Sequence, residues 1–298
     1  MPLNKTDFSP PQKLMQTDEI ISIAKLFVEQ GISKIRLTGG EPLIRKDADL
    51  IIMKLSLLPV ELTLSSNGIL VDRFIEVFKQ AGIRSLNISL DSLDAEKFKR
   101  ITHQNYFQRV FSNIHLLLEE SFHVKLNVVV MRGINDDEII DFVRLTKTLP
   151  LHVRFIEFMP FSGNKWKTDE VFTHAEILSK LEPEFDIVKL PDGKHDTTKK
   201  FKVIGYSGTF ALISTMTQPF CSGCNRLRLT ADGRMKNCLF SNGETDLLGS
   251  LRKGEDILPL IRANVMSKKA ERGGQVMELS KLSNPENIEN RSMVSIGG

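Results

Sequence analysis

The chain alternates strand-like apolar runs with amphipathic helical segments from residue 17 to residue 158. The predicted strands are short and cover residues 34–38, 61–65, 85–89, 124–131 and 152–158. The predicted helices lie between them and cover residues 17–31, 48–58, 71–80, 106–120 and 136–148. This alternation is typical of repeated βα units that build a parallel sheet. The sequence therefore predicts an α/β fold.

The residues that follow the predicted strands are polar or rich in glycine. They are 38–42 (TGGEP), 65–68 (SSNG), 89–91 (SLD), 131–133 (MRG) and 157–159 (EFM). Any one of them could be an ordinary turn, but five in register favour a shared binding edge. In βα barrels the functional residues collect at the C-terminal ends of the strands. We therefore expect the ligand site at that edge.

Length and composition describe a globular chain with enough apolar content for a full core. It has 298 residues, of which 41% are apolar and 26% charged, and a formal net charge of +3. That charge is too small to indicate nucleic acid binding. The longest apolar runs fall short of the roughly 20 residues that a membrane span needs. We therefore expect no nucleic acid and no membrane as partners.

The βα rhythm changes after residue 160, which predicts a second, smaller region packed on the first. A helix is predicted over residues 173–181. Two strand-like runs, 201–206 and 209–214, then lead into a stretch that contains every cysteine of the chain. We expect one domain over residues 1–160 and another over residues 161–298.

Cys221, Cys224 and Cys238 are the three cysteines of the chain. Their odd number and clustering argue against disulfides and favour a reducing compartment. The CxxC pair can direct two sulfurs at one metal centre, and Asp232-Gly233 can form the turn of a hairpin that returns Cys238. Zinc and an iron–sulfur cluster each usually take four protein ligands. The pattern alone favours zinc over an iron–sulfur cluster, with unbound cysteines as the third alternative.

The segment Gly39-Gly40-Glu41-Pro42 follows the first predicted strand. Two glycines let the backbone approach a ligand closely, and Glu41 could accept a hydrogen bond from an ammonium group. The alternative is a plain tight turn. The sequence contains neither GxxxxGK[ST] nor GxGxxG, so a bound nucleotide would not be held by a P-loop or in the Rossmann manner.

Three basic residues, Arg36, Lys125 and Arg154, stand among apolar neighbours in predicted strands. Alternate side chains of a barrel strand point inward, so these cations could converge in one cavity with Arg226 and Arg228. Such a cluster is costly unless it binds an anion such as a triphosphate. The alternative is that the cations face solvent or pair with acidic residues, namely Glu61, Asp91 and Glu157.

Six motifs together resemble molybdenum cofactor biosynthesis protein A, the radical S-adenosylmethionine family of GTP 3′,8-cyclases. They are 38–45 (TGGEPLIR), 66–68 (SNG), 87–91 (NISLD), 132–136 (RGIND), 154–159 (RFIEFM) and the Cys-x2-Cys-x13-Cys stretch. The resemblance covers nearly the whole chain, and residues 158–166 look more like the eukaryotic members.

The resemblance implies an incomplete (β/α) TIM-like barrel of the radical S-adenosylmethionine type with a C-terminal, cluster-binding extension. The implied reaction converts GTP to 3′,8-cyclo-7,8-dihydro-GTP, the first step of molybdenum cofactor biosynthesis. By resemblance, the three cysteines hold a 4Fe-4S cluster whose open iron meets the guanine of GTP, which reverses the preference for zinc. A non-catalytic protein that binds GTP or zinc is the alternative function.

The resemblance also assigns roles to individual residues of this chain. It implies that S-adenosylmethionine contacts Gly40, Glu41, Ser89 and Met159. It implies that GTP binds at Arg36, Ser65, Lys125, Arg226 and Arg228. It places three further residues in the catalytic cavity, namely Arg154 and the terminal Gly297 and Gly298.

One departure from the family concerns the start of the chain. The family has a CxxxCxxC motif followed by Met-Pro, and this chain begins at Met1-Pro2. We expect the first barrel strand and the N-terminal 4Fe-4S cluster to be missing, as in a fragment, a mis-assigned start or a truncated isoform. Such a chain could not make the 5′-deoxyadenosyl radical alone, and a sheet edge would be left uncovered.

The resemblance finally implies partners and a compartment. The product would pass to the cyclic pyranopterin monophosphate synthase of the same pathway, and family members are commonly homodimers. The eukaryotic character suggests the mitochondrial matrix, with the cytosol as the alternative.

Overall fold

The computed structural model describes residues 10–162, 164, 166–275 and 291–296. In its first part, strands and helices alternate as the sequence predicts. The five strands are β1 (Lys34–Leu37), β2 (Glu61–Ser66), β3 (Ser85–Ser89), β4 (His123–Val130) and β5 (His152–Glu157). The helices of this part are α1 (Thr17–Glu29), α2 (Ala48–Ser56), α3 (Ile75–Gln80), α4 (Ala95–Thr102), α5 (Phe107–Glu119) and α6 (Ile139–Leu145).

Helix α4 was not predicted from the sequence. It carries a single buried residue, Phe98, so it lacks the repeated apolar positions that mark an amphipathic helix. Its N-terminus is capped by Asp94, whose side chain accepts a hydrogen bond from the backbone N–H of Lys97.

The remaining elements follow residue 160. The helices are α7 (His174–Leu181), α8 (Leu247–Arg252), α9 (Leu258–Met266) and α10 (Met293–Ile296). The strands are β6 (Ile187–Lys189), β7 (Lys199–Val203), β8 (Thr209–Ile213), β9 (Arg228–Leu229), β10 (Arg234–Lys236) and β11 (Thr245–Asp246). Strands β9, β10 and β11 form a small antiparallel sheet, in the order β11-β10-β9.

The large sheet has the strand order β1-β2-β3-β4-β5-β8-β7-β6. Strands β1 to β5 and β8 run parallel, whereas β6 and β7 are antiparallel additions beyond β8. The sheet therefore continues across residue 160, because β8 pairs with β5. The division into domains at that residue stays a prediction. Among the described residues, β1 pairs with β2 alone, so the sheet is open, as in an incomplete barrel.

The two faces of the parallel sheet differ in chemistry. One face is apolar and forms the main core with the helices, through side chains such as Leu64, Leu86, Leu126 and Phe155. Side chains of a strand alternate between faces, so the residues between these anchors line the opposite face. That face is polar along β1 to β5, and the candidate ligand residues belong to it. Within the described ranges, no helix is both long and apolar enough to cross a membrane.

Candidate functional site

Three predicted cations share the polar face of the sheet. Strand pairing places Lys125 opposite Asn87 on one side and opposite His152 on the other. Arg154 lies two residues beyond His152 on the same face, and Arg36 lies on the same face of β1. The residues between them, such as Leu126 and Val153, are buried in the core. The predicted inward direction of the three cations agrees with this alternation.

The electrostatics show that the cations lie close to one another. Burial, then Arg36 and Arg226, lowers the pKa of Arg154 to about 9. Burial, then Arg154, Lys34 and Arg36, lowers the pKa of Lys125 to about 8. A group loses affinity for its proton in this way when its charge is desolvated and faces charges of the same sign. The region therefore has a strongly positive potential.

Arg226 and Arg228 reach this region from the second part of the chain. Burial, then Arg226 and Arg36, lowers the pKa of Arg228 to about 10, and the charges of Cys238 and Cys224 oppose that shift. Arg226 donates a 2.7 Å hydrogen bond from Nη2 to the Thr197 hydroxyl. The structure thus brings the five predicted cations together and sets two of the cysteines beside them.

The acidic residues proposed as alternative partners make their short contacts with other groups, and only the charge of Glu61 opposes the lowered pKa values of Arg36 and Lys125. Glu61 pairs with Lys34 at 2.7 Å, Asp91 accepts a hydrogen bond from the backbone N–H of Val129, and Glu157 binds other backbone groups. Among the described residues, none of the three strand cations forms an ion pair. Arg154 is only 8% exposed, and its Nε and Nη2 atoms have no hydrogen-bond partner in the part of the chain that is described.

Unpaired donors of this kind are expensive to bury, since these two nitrogen atoms lose their hydration and gain no hydrogen bond in exchange. An anion placed against Arg154 would supply the missing acceptors. The donor set therefore fits a phosphate or carboxylate group, in keeping with the triphosphate expected from the sequence.

Ser65, Asn87 and Asn127 complete the polar face. The sequence alone assigned no role to the two asparagines. The Ser65 hydroxyl accepts a 3.0 Å hydrogen bond from the Asn87 amide. Asn127 lies opposite Ser89 and Arg154 in the strand register, and its buried Oδ1 has no partner among the described residues. The alternation along β4 places Asn127 on the same face as Lys125, and this pattern could have identified Asn127 from the sequence.

His152 also lies on this face but adds no charge. Burial, then the neighbouring Arg154 and Lys125, lowers its pKa to about 3, so its ring is neutral near pH 7. Its Nδ1 lies 2.7 Å from the Thr209 hydroxyl. A neutral ring between two cations avoids a further repulsive charge.

The glycine-rich loop after β1 is tied to the loop after β2 by Glu41. Its carboxylate accepts hydrogen bonds from the backbone N–H of Asn67 at 2.7 Å and from the Ser66 hydroxyl at 2.9 Å. Burial raises the pKa of Glu41, and these hydrogen bonds oppose the rise. Gly39 has a φ of +147° and Gly40 is exposed, so the loop backbone is accessible. The contact of Glu41 with an ammonium group stays a prediction.

Ser89 and Met159 end β3 and follow β5, as predicted for the binding edge. Ser89 is exposed. Met159 is half-buried and packs against a second apolar cluster that also receives Cys238. The buried members of this cluster are Phe161, Trp166, Val171, Met216, Phe240 and Ile296.

The cysteines lie on two neighbouring segments. Cys221 and Cys224 flank a short 3-10 turn, and Cys238 follows β10. The predicted hairpin is confirmed, because β9 pairs with β10 across a turn in which Gly233 has a φ of +71°. All three thiols are half-buried and unbridged.

Cationic and amide donors surround the thiols. The Lys268 ammonium lies 3.7 Å from the sulfur of Cys224 and donates a 2.9 Å hydrogen bond to its carbonyl oxygen. The backbone N–H of Arg272 donates to the sulfur of Cys221 at 3.5 Å. Such donors stabilise thiolates and the negative charge of a bound cluster.

Over the described residues, no three His, Cys, Asp or Glu side chains converge closely enough to hold one metal ion. The zinc and iron–sulfur alternatives at the cysteines both stay predictions.

Gly297 and Gly298 lie outside the described residues. Ile296, which directly precedes them, is 3% exposed and belongs to the cluster against which Cys238 and Met159 pack. The described chain therefore ends beside the cysteine region.

Two family models match the chain. Residues 4–146 match the Radical SAM superfamily, and residues 151–273 match Molybdenum Cofactor Synthesis C. Among solved structures, Streptococcus suis SuiB bound to S-adenosylmethionine matches 98% of this chain and 72% of its own, with a TM-score of 0.59. The sequence identity is 14%, so this likeness concerns the fold alone.

Several curated proteins are similar over most or all of the chain. Molybdenum cofactor biosynthesis protein 1 of Mus musculus is 43% identical over 100% of this chain and 47% of its own length. The mitochondrial GTP 3′,8-cyclase of Arabidopsis thaliana is 42% identical over 100% of this chain and 76% of its own. The GTP 3′,8-cyclase of Moorella thermoacetica is 38% identical over 90% and 85%.

This chain spans about half the length of the animal relatives and most of the plant and bacterial ones. The two family models and these identities, together with the cation and cysteine geometry, lead to one conclusion. The chain belongs to the family that contains molybdenum cofactor biosynthesis protein 1 and the GTP 3′,8-cyclases.

Proposed function

We propose that this protein binds GTP on the polar face of the sheet and acts in the GTP 3′,8-cyclase reaction, which forms 3′,8-cyclo-7,8-dihydro-GTP as the first step of molybdenum cofactor biosynthesis and also needs the N-terminal 4Fe-4S cluster of the family. The observation that carries the proposal is Arg154, a buried cation with two unpaired donor atoms beside four further cations. Such a site is complementary to a polyphosphate. Two relatives are named as enzymes with this activity.

The proposed role of each cation follows from its charge and its position. Arg36, Lys125 and Arg154 would hold the phosphates and the ribose end from the sheet. Arg226 and Arg228 would close the cavity from the other side, where they lie next to the cysteines. Holding the nucleotide between two fixed surfaces orients its reacting atoms and excludes water, which is how such a site lowers the barrier.

Membership of the Radical SAM superfamily implies S-adenosylmethionine and an iron–sulfur cluster in general terms. We propose that Cys221, Cys224 and Cys238 hold a 4Fe-4S cluster, since hydrogen-bond donors already surround two of these sulfurs. S-adenosylmethionine would lie at the strand ends, against residues Gly40, Glu41, Ser89 and Met159. When bound, S-adenosylmethionine would supply the hydrogen-abstracting radical after one-electron reduction by a second 4Fe-4S cluster, and the cluster at the three cysteines would supply an iron with an open coordination position for the purine.

The proposal extends to the compartment, the next enzyme and the assembly. A mitochondrial matrix location is supported by the relative from Arabidopsis thaliana, which is named as mitochondrial. The product would be consumed by a cyclic pyranopterin monophosphate synthase, and we propose a homodimer as the assembly. Gly297 and Gly298 are proposed to enter the cavity, which is supported by the burial of Ile296 near Cys238.

The test begins with anaerobic purification, followed by assays of iron and acid-labile sulfide and measurement of GTP affinity. Arg154→Ala should weaken GTP binding by about 10- to 100-fold, because a hydrogen-bonded charge contributes about 1.5–3 kcal/mol. Arg144→Ala is a suitable control, since the Arg144 side chain is 55% exposed on α6. It should bind GTP as the wild-type protein does.

Three results would count against the proposal. Equal GTP affinity in Arg154→Ala and the wild type would remove Arg154 from the site. Stoichiometric zinc with no acid-labile sulfide would support the zinc-binding alternative. GTP binding that survives in Cys224→Ala would separate the nucleotide site from the cysteines.

A further inference from the structure

Residues 291–296 form a short segment that docks beside the cysteine region, and we call it the C-terminal strap. Its first residue, Arg291, contacts the β9–β10 hairpin and the segment before β11. Its last residue, Ile296, is buried in the cluster that receives Cys238. The strap is therefore held at both ends, by a charge at one and by apolar contact at the other.

The charged end is a clamp between one guanidinium and two carboxylates. Arg291 donates from Nη1 to Asp232 at 3.0 Å and 3.1 Å, and from Nη2 to Glu244 at 2.6 Å. The Asp232 and Glu244 side chains are only 17% and 12% exposed. A multidentate arginine with largely shielded partners is much more restrictive than an ordinary surface ion pair.

The Asp232 carboxylate remains charged in this position. Burial opposes the ionisation of Asp232, but hydrogen bonds from Thr230 and Arg291 outweigh it and hold its pKa below its ordinary value. Without Arg291, Asp232 would keep the 2.6 Å hydrogen bond from the Thr230 hydroxyl, but the short contacts of both carboxylates with the strap would be lost. Arg234 lies 3.7 Å from Asp232 and 3.9 Å from Glu244, and Lys236 lies 3.8 Å from Glu244.

The clamp acts on the hairpin that carries part of the proposed nucleotide site. Asp232 lies in the turn between β9 and β10, and β9 begins with Arg228. The residue pair Lys236 and Arg228 is in register across the two strands, and Cys238 follows β10. Arg291 thus ties the chain end to the same hairpin that presents Arg228 and Cys238.

We propose that Arg291 is a positioning residue that fixes the C-terminal strap on the β9–β10 hairpin and so holds Arg228 of that hairpin at the proposed GTP site. This inference rests on the proposed function for the identity of the ligand. The geometry of the clamp itself does not depend on that function, so the two can be tested apart.

The experiment compares wild type, Arg291→Ala and Arg291→Lys as full chains, purified anaerobically with their iron content measured. Hydrogen–deuterium exchange reports on the strap, and GTP affinity reports on the site. Arg291→Ala should speed exchange in the peptide that covers residues 291–298 and weaken GTP binding by about tenfold. Arg291→Lys keeps one ion pair and should recover part of both effects.

Arg234→Ala is the matched control, because Arg234 faces the same two carboxylates at longer distances and its side chain is 42% exposed. It should leave exchange of the strap and GTP affinity unchanged. The double variant Asp232→Asn, Glu244→Gln removes the clamp from the other side. It should release the strap as Arg291→Ala does, which keeps the test informative if one variant folds poorly.

The outcomes test the clamp, the positioning role and the proposed function separately. Unchanged exchange of the strap in Arg291→Ala overturns the clamp. Faster exchange with unchanged GTP affinity overturns the positioning role, and so does a loss of affinity that merely follows a loss of iron or of folded protein. A wild-type protein that does not bind GTP contradicts the proposed function instead, while the exchange data still judge the clamp.

Discussion

Glu157, the last residue of β5, accepts a 2.8 Å hydrogen bond from the backbone N–H of Met216, in the loop that leads from β8 to Cys221. The same carboxylate accepts from the backbone N–H groups of Thr217 and His174 and from the Thr217 hydroxyl. Glu157 is 1% exposed. One buried carboxylate therefore fixes the loop that precedes the cysteine turn.

Glu157→Gln should disturb this loop, because an amide presents one acceptor oxygen and sets an NH2 group against backbone donors. We expect a loss of about 1–3 kcal/mol in the free energy of unfolding and a lower iron content. Urea unfolding and iron assays measure both. Glu184→Gln is the control, since the Glu184 side chain is 45% exposed, and it should change stability by less than about 0.5 kcal/mol. Equal stability of the two variants would contradict the anchoring role.

Lys125 should make GTP affinity depend on pH. Its pKa is about 8 in the folded protein, lowered first by burial and then by neighbouring cations. The charged form binds an anion better, so affinity should fall as the pH rises, by up to about tenfold between pH 7 and pH 9. Lys125→Met should lose this dependence and keep only the titration of GTP itself. Parallel pH profiles for the two proteins would show that Lys125 does not face the ligand.

The same residue should lower stability in the absence of ligand. Its folded-state pKa lies below the unfolded value of 10.5, so between about pH 8 and 10.5 the unfolded chain binds more protons and stability rises with pH. Below pH 8 the full penalty is present. Because Lys125 is partly exposed, solvent reduces the effect, and we expect Lys125→Met to gain about 1 kcal/mol at pH 7. A lower melting temperature in Lys125→Met would refute this reading.

Lys268 should set the reduction potential of a cluster held by Cys224. Its ammonium lies 3.7 Å from the Cys224 sulfur and also donates to the carbonyl oxygens of Cys224 and Arg226. Lys268→Met removes a positive donor that stabilises the more negative, reduced cluster, so the potential should fall by tens of millivolts. Redox titration followed by electron paramagnetic resonance measures it, with the exposed Lys253→Met as control. An unchanged potential would place the cluster away from Lys268.

Gly233 is needed for the β9–β10 turn on two grounds. Its φ is +71°, and a Cβ at this position would lie 2.2 Å from the Cβ of Leu248. Gly233→Ala should therefore cost well over the roughly 1–2 kcal/mol of backbone strain alone. Gly254→Ala is the matched control, since Gly254 has a φ of +76° and open space around it. Similar thermal stability in the two variants would mean that the contact with Leu248 relaxes.

Much of the fold follows from local pattern. The period-two alternation of β4 and β5 predicts both the apolar core and the inward direction of Lys125 and Arg154, because one geometric rule governs both. The cysteine hairpin is equally local, since Asp232-Gly233 is a strong turn signal.

Other features depend on contacts between distant parts of the chain. The place of β8 beside β5 follows from a long connection through α7 and two antiparallel strands, which local periodicity does not encode. The role of Glu157 depends on Met216 and Thr217, which the fold brings near it. Arg291 pairs with Asp232 and Glu244 across more than 40 residues, and a sequence signal for that pairing is lacking.

The alternation along β4 predicts how well this strand tolerates insertions and deletions. Neighbouring residues of this strand lie on opposite faces: Leu126 fills the hydrophobic core, whereas Lys125 and Asn127 lie on the polar face of the sheet. A single-codon deletion inside the strand would exchange the two sets, burying an ammonium and exposing leucine at once. A single point substitution could not restore both faces. In-frame insertions and deletions should therefore be tolerated far less in β4 than in the helices that pack on the sheet.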